Sequence, residues 1–280
     1  MRHLGAAAIV SSLGCLGLAG QTVIRPFQAS PAASVAQELG TCSVRIDYHS
    51  PAVAGRKIWG ALVPLGQVWR AGANEATTIA LSDPVQVDGH ALAAGTYTFF
   101  AMPGPDEWTL IFNRVPKQWG AFTYQPAQDA LRVRARPRPA PFRERLLYTI
   151  QVAGPDSFRV ELAWDTLAVG FDLALAAHER YWDYLQKALA GAGPEEWQPL
   201  NQGAAYCLQS GTHLDQAMAW ADRSITIKEG HRNLSLKAQL LRRAGQPGEA
   251  RALLEKAQVL ATGQAQEEIR AMLADWARQP

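Results

Sequence analysis

The sequence predicts a two-part α+β protein, with an antiparallel β-sandwich or barrel-like domain followed by an α-helical tail. Apolar and polar residues alternate with a period of two through the first half. In the second half apolar residues recur at i, i+3 and i+4, and the change falls near Leu173. A chain of 280 residues has room for two such domains.

Composition excludes several classes of protein. Hydrophobic residues make up 48% of the chain and nine are Trp, so it can bury a core and is not disordered in bulk. A net charge of +2 gives no basis for nucleic-acid binding driven by net charge. Two of the three cysteines, Cys42 and Cys207, lie in different halves, so we expect free buried thiols rather than a disulfide framework.

Residues 1–20 have the pattern of a targeting segment. A basic start, Met1-Arg2-His3, precedes an uncharged apolar run over residues 4–20 that ends in small residues. This predicts a signal peptide cleaved within 19–29 and an extracytoplasmic protein, either periplasmic or secreted. A lipid anchor at Cys15, which follows a lipobox-like sequence, and a retained anchor are the alternatives. We expect membrane attachment only through Cys15.

Short strands account for the first half. Residues 43–49 alternate between an apolar and a polar face, as a half-buried strand requires. Residues 85–92 predict a hairpin, because Asp88-Gly89 supplies the positive φ angles of a type I′ turn. Further strands are predicted at 77–81, 96–102, 108–113, 129–135, 145–152 and 158–164. Gly and Pro clusters, including 137–141, separate them.

Helical hairpins are predicted for residues 173–280. Gly211 and Gly245 are 34 positions apart, and Ala217 and Ala250 are 33 apart. A 34-residue period is typical of tetratricopeptide repeats (TPR). Most aromatic and proline positions of that repeat are missing, so generic antiparallel helices are the alternative to a TPR-like tail.

An ordered series of blocks runs through the first half. The blocks include Tyr48-x2-Pro51, Gly55-Arg56-Lys57-Ile58, Val68-Trp69-Arg70-x-Gly72-Ala73-Asn74-Glu75-Ala76-Thr77-Thr78, Ala94-Gly95-Thr96-Tyr97, Trp108-x2-Ile111-x-Asn113 and Trp119-Gly120-x3-Tyr124. Roughly residues 30–170 thereby resemble the bacterial family of domain of unknown function 2911, and the helical tail is similar to that of its longer members. The resemblance implies a secreted or periplasmic β-rich protein and no particular reaction.

Residues 69–78 form the densest polar cluster. Arg70 offers a planar fork for an anionic group, Asn74 and Glu75 can orient hydroxyls, and Trp69 can supply an apolar wall. We predict that this segment lines a ligand cleft. The predicted ligand-binding residues are Trp69, Arg70, Asn74, Glu75, Thr77, Arg56, Asn113 and Tyr124. The structural alternative is an internal Arg70–Glu75 ion pair, with Asn74 capping a turn.

Other chemistry has little support in the sequence. There is no nucleophile elbow, phosphate-binding loop or dinucleotide fingerprint, and the six His residues show no metal-ligand spacing. We therefore expect no cofactor and no metal, and catalytic residues are unknown. Only His49 and Asp47, on one face of a strand, could join Glu75 in a site.

The most basic segment is 131–138. Strand alternation places Arg132, Arg134 and Arg136 on one face. This indicates a solvated edge strand protected by charge, ending at proline. The alternative is a patch for an anionic polymer or a membrane surface.

The predicted function is binding or scaffolding outside the cytoplasm. The β domain would hold a small polar or saccharide-like ligand, or a partner, and the helical tail would bind a protein. One alternative is an envelope hydrolase with Glu75 as general base and Arg70 as anion clamp. The other is a structural module without a ligand.

Overall fold

Two antiparallel β-sheets followed by six α-helices make up the computed structural model, which describes residues 27–278. The predicted signal peptide and Cys15 lie outside the described residues. None of the described helices combines the length and the apolar character that crossing a membrane requires.

Ten strands form the two sheets of the β domain. Their bounds are β1 Ala32–Leu39, β2 Cys42–His49, β3 Thr78–Leu81, β4 Val85–Val87, β5 His90–Leu92, β6 Gly95–Met102, β7 Trp108–Asn113, β8 Asp129–Ala135, β9 Arg138–Gly154 and β10 Ser157–Ala174. The larger sheet has the order β1-β2-β3-β6-β7-β8 and the smaller one β5-β4-β10-β9. All strand pairs are antiparallel.

The two sheets pack face to face around one apolar core, so the β domain is a sandwich. Phe99 of the larger sheet lies against Tyr148 and Phe171 of the smaller sheet, with ring centroids 6.3 and 5.7 Å apart. Alternate residues of β2, such as Val44 and Ile46, are fully buried in this core. Burying one face of each sheet is what the period-two pattern predicts.

Several strand predictions are confirmed. β7 and β8 have the predicted bounds, and β2 is longer than predicted by one residue, Cys42. The predicted type I′ turn is present, because Asp88 and Gly89 have φ angles of +46° and +82° between β4 and β5. Cys42 and Cys207 are buried and free, as expected.

The sequence pattern failed to predict β1. Its residues are mostly Ala, Ser, Gln and Glu, which have low strand propensity, so no alternation stood out. The strand forms because Gly40, with φ +60°, closes a tight turn that pairs β1 with β2 along its whole length. The strand predicted at 77–81 is one residue shorter in the structure, because β3 begins at Thr78 and Thr77 lies outside the strand.

The last two strands extend well beyond the predicted 145–152 and 158–164. β9 runs through Pro139 and Pro141, so the cluster at 137–141 does not interrupt it. β9 is the edge strand of the smaller sheet, where a missing backbone N–H is tolerated. β10 continues through Ala174, since Leu173 and Ala174 pair with β4. The helices therefore begin at 177 rather than at 173.

Six helices form the tail: α1 Ala177–Ala190, α2 Trp197–Ser210, α3 Leu214–Ile227, α4 His231–Arg243, α5 Pro247–Leu260 and α6 Gln264–Arg278. α1 is joined to the sandwich, because Ala177 belongs to its core and Arg180 lies 3.7 Å from Asp83. The two glycines that are 34 residues apart occupy equivalent positions in two helical hairpins. Gly211 follows α2 and Gly245 follows α4, and both have a positive φ angle.

Candidate functional site

A cleft of about 960 Å³ opens on the outer face of the larger sheet. Its floor includes Ser34, Asp47 and Thr78, which are directly opposite one another on β1, β2 and β3. The residues that flank them along each strand point into the core. The polar residues of the alternating pattern therefore face outwards and line the cleft. The period of two therefore builds both the core and the floor of the site.

The loop over residues 114–125 forms one wall of the cleft. Ala76 N donates to Gln118 O at 2.9 Å and Gly120 N donates to Asn74 O at 3.2 Å, which places Trp119 directly opposite Glu75. The Trp119 side chain lines the cleft and Trp119 is 56% exposed. A large aromatic ring left open to solvent beside polar groups is a feature of ligand sites.

Asn113 anchors this loop from beneath. Its Oδ1 accepts hydrogen bonds from Val115 N and from Gln118 Nε2, both at 3.1 Å, and its Nδ2 donates to Asp129 Oδ1 at 2.8 Å. Asn113 is fully buried and does not itself line the cleft. Its role is to hold the backbone that carries Trp119.

Tyr124 closes the far end of the same loop. Its hydroxyl donates to Asp129 Oδ2 at 2.7 Å and accepts from Arg132 Nη2 at 2.6 Å. Burial, followed by the hydrogen bond to the Asp129 carboxylate, raises the pKa of Tyr124 to about 12. Tyr124 also does not line the cleft, so it is a structural member of the loop.

Two pairs of oppositely charged or titratable side chains line the cleft. His49 Nε2 lies 3.4 Å from Glu75 Oε2, with the His49 side chain 15% exposed and that of Glu75 52% exposed. Beside them, Arg45 holds the Asp47 carboxylate by bonds of 2.7 to 3.1 Å. The 3.4 Å separation is longer than an ordinary hydrogen bond, so His49 and Glu75 keep capacity to bond a ligand.

Arg70 does not join Glu75. Its Nη1 donates to Asn74 O at 3.2 Å, and none of the ion pairs within 4.0 Å among residues 27–278 includes Arg70. Burial lowers the pKa of the Arg70 guanidinium from its ordinary value. Asn74, with φ +54°, donates to Ser30 O at 3.3 Å, so it fixes the chain leading into β1. The ion pair of the structural alternative is therefore not formed.

Trp69 and Thr77 are packed inside the β domain. Trp69 stacks on Trp164 with centroids 5.9 Å apart, and its Nε1 donates to Gly72 O at 3.2 Å. Thr77 is fully buried and its hydroxyl donates to Ala71 O at 3.0 Å. Arg56 lies in an exposed loop, where it donates to the carbonyl oxygens of Val53 and Ala52.

Of the predicted ligand-binding residues, only Glu75 lines the main cleft, where it meets Asp47 and His49. Trp69 and Arg70 line a separate pocket of about 150 Å³. Sequence reasoning missed Trp119 and Lys117 as site residues. The available signal was a tryptophan in a Pro- and Gly-containing loop without strand alternation, which had no core position to occupy.

Metal binding has no geometric support in the described part of the chain. No group of three or more His, Cys, Asp or Glu side chains there converges as a metal would require. Cys42 is not an alternative ligand, because burial and the nearby Asp83 carboxylate raise the pKa of its thiol to about 11. The residues that line the cleft, among them Arg45, Asp47, His49, Glu75 and Trp119, offer hydrogen bonding and aromatic stacking.

The fold and the cleft together define a β-sandwich protein with a helical tail and a polar, aromatic-walled groove on the outer face of one sheet. A family model described as protein of unknown function (DUF2911) matches residues 30–173. The chain belongs to this family. No curated protein and no solved structure matches it.

Proposed function

We propose that the protein is an extracytoplasmic binding protein whose β domain holds a small saccharide-like ligand in the cleft. The observation that carries the proposal is the exposed Trp119, which lines the cleft and whose backbone pairs with that of Glu75, the partner of His49. An indole ring packs against the apolar C–H face of a sugar, while carboxylate and imidazole groups bond its hydroxyls. A cleft of about 960 Å³ is within the size range of small-molecule sites.

Charge in the cleft favours a ligand that is neutral overall. Arg45 and Asp47 compensate each other, and Lys117 and Glu75, which also line the cleft, carry opposite charges. A strongly anionic ligand would meet both carboxylates, and a strongly cationic one would meet Arg45 and Lys117. Hydroxyl-rich ligands avoid both costs because they donate to the carboxylates and accept from the cations.

The test is a panel of neutral, amino and uronic-acid oligosaccharides, with isothermal titration of those that bind. We expect Trp119→Ala to lower the affinity about tenfold or more, because the stacking surface is lost. Phe122→Ala is the matched control, since Phe122 is a more exposed aromatic residue of the same loop that does not line the cleft. Equal affinities for both variants, or no binding by the wild type, would contradict the proposal and favour a structural module.

The hydrolase alternative is less well supported. Glu75 and His49 are close enough to exchange a proton through a bound group, but the proposed clamp, Arg70, does not line the cleft. An enzyme of that kind would need another cation, and Lys117 is the cation available at the rim.

The helical tail is proposed to be a TPR-like module that binds a protein. Two observations support it: Ala217 and Ala250 are fully buried at matching places in α3 and α5, and Ala221 and Leu254 repeat the match one turn later. A groove of about 280 Å³ lies between α1, α2 and α3, with Trp182 and Trp220 in its lining. Capture of a partner that Trp220→Ala releases, while Val259→Ser retains it, would test this role.

We propose that the protein is exported from the cytoplasm, because residues 1–20 have the pattern of a signal peptide. Fractionation of a bacterial host producing the full chain should place a shortened protein outside the cytoplasm. Cys15→Ser should leave that distribution unchanged if the peptide is simply cleaved, and should release the protein from the membrane if Cys15 carries a lipid.

A further inference from the structure

Two loops at the edge of the sandwich carry large apolar side chains into solvent. Leu62 and Leu65, in the 54–70 loop, are 45% and 47% exposed, and Phe122, in the 114–125 loop, is 83% exposed. Single exposed apolar residues are common on protein surfaces, but neighbouring ones in loops mark a contact surface.

The two loops adjoin each other. Pro64 and Val68 line one small pocket together with Ala121 and Phe122. Val68 and Ala121 also pack against the same small buried cluster, which consists of Ala76, Phe100 and Ile111. Because Leu62 and Leu65 lie within two residues of Pro64, we group them with Phe122 as one surface, which we call the apolar loop surface.

Cations outnumber carboxylates around this surface, although Glu144 Oε1 accepts a hydrogen bond from Ala54 N at 2.9 Å and Glu75 lies opposite Trp119. Residues 48–74 contain Arg56, Lys57 and Arg70 and no Asp or Glu, and residues 114–125 contain Arg114 and Lys117 and again no acid. The backbone of Lys57 adjoins that of Leu62, because the Lys57 carbonyl oxygen accepts a hydrogen bond from Leu62 N at 3.2 Å. Among residues 27–278 no carboxylate lies within 4.0 Å of Lys57 in an ion pair.

Acidic groups do occur on the next loop, which meets the surface where Gly66 N donates to Pro103 O. That loop contains Asp106 and Glu107, and Glu107 lies 3.7 Å from Arg134, which offsets its charge. With Glu75 and Glu144 also counted, cations are still in excess, with Arg56, Lys57, Arg70, Arg114, Lys117 and Arg134 against Glu75, Asp106, Glu107 and Glu144.

We propose that the apolar loop surface docks on a bilayer containing anionic lipids. Apolar side chains that project from loops can enter the headgroup region without exposing new backbone groups, while neighbouring cations attract the negative surface. A rigid protein partner would more often cover a flat or concave surface, whereas projecting Leu and Phe side chains flanked by Lys and Arg match a soft anionic interface. The inference is independent of the saccharide proposal, because Phe122, Leu62 and Leu65 do not line the cleft.

The test places a fluorescent probe at the surface. In a Cys15→Ser background of the full chain, Phe122→Cys is labelled with nitrobenzoxadiazole, since Cys42 and Cys207 are buried. Vesicles of phosphatidylglycerol and phosphatidylcholine should shift the emission to the blue, and vesicles of phosphatidylcholine alone should not. The same label at Val259→Cys, on α5 and 82% exposed, is the control and should remain in water.

Residues 1–26 are present in every variant, so attachment through them is common to the probes at 122 and 259, and the difference between the two emissions reports the apolar loop surface. An unchanged emission at 122, or equal shifts at 122 and 259, would overturn the proposal. A shift produced by heparin but not by vesicles would also overturn it, in favour of an acidic macromolecule.

A charge variant tests the electrostatic part. Lys57→Glu should weaken vesicle binding about tenfold or more, since it replaces an attractive charge with a repulsive one. Arg232→Glu, an exposed substitution in α4, should leave binding unchanged. Binding by wild type should fall steeply with added salt. Equal binding by Lys57→Glu and Arg232→Glu would contradict the docking surface.

Discussion

The hydroxyl of Tyr148 donates a hydrogen bond to the carbonyl oxygen of Ala71 at 2.8 Å. Tyr148 is on β9 of the smaller sheet, and Ala71 lies in the segment leading to β3 of the larger one. The Thr77 hydroxyl donates to the same oxygen at 3.0 Å. The buried Ala71 carbonyl thus joins the two sheets at the base of the segment that carries Glu75.

We expect these two hydroxyls to be coupled. Tyr148→Phe and Thr77→Val should each lower the free energy of unfolding by about 1 kcal/mol, because each leaves Ala71 O with one donor. The double variant should lose about 1 kcal/mol more than the sum, since the buried carbonyl then has no side-chain donor. Denaturant unfolding of the four proteins measures this, and additive losses would show that the carbonyl is satisfied in another way.

Arg70 and Glu75 should differ in their effect on stability. Arg70→Met removes the hydrogen bond to Asn74 O from a partly buried guanidinium and should cost about 1 to 2 kcal/mol. Glu75→Gln should change stability by less than about 0.5 kcal/mol, since its contact with His49 is half-exposed. Thermal unfolding provides the measurement. Equal large losses would indicate the internal ion pair that the structure does not contain.

Ionisation of Tyr124 should lower the stability of the folded protein in alkaline solution. The pKa of Tyr124 is raised from 10.0 to about 12, so folding favours the neutral phenol. The stabilisation is complete below pH 10 and is lost as the pH rises towards 12, because the unfolded chain loses its proton first. Tyr124→Phe should flatten the dependence in that window. Unfolding at a series of pH values tests this, and an unchanged slope in the variant would contradict it.

Gly72 is required for close packing beneath the site. A Cβ there would lie 2.8 Å from Thr77 Oγ1 and 3.2 Å from His49 O. Gly72→Ala should therefore destabilise the protein by about 1 to 3 kcal/mol and displace the end of β2. Gly248→Ala is the control, because nothing lies within 4 Å of its Cβ position and α5 should gain a few tenths of a kcal/mol. A neutral Gly72→Ala would show that β2 can move freely.

Much of the β domain could be predicted because local pattern and tertiary structure agree there. β7, β8 and the Asp88-Gly89 hairpin depend on alternation and on turn chemistry, which neighbouring residues determine. β1 and the extensions of β9 and β10 depend on pairing with distant strands, which no local window contains. Low-propensity residues in β1 and prolines in β9 are tolerated only because of where those strands lie in the sheets.

The candidate site divides in the same way. Local sequence was enough to predict that polar residues of β2 face away from the core, that Glu75 lies in a polar segment, and that the chain has two parts and a family resemblance. Which of these residues meet depends on the folded arrangement. In the fold, Trp69 packs on Trp164 and Arg70 bonds Asn74 O, while pairing of the 114–125 loop with residues 74–76 brings Trp119 to the cleft. Residue type determines the chemistry that a side chain can perform, whereas long-range backbone hydrogen bonds determine which side chains face one another.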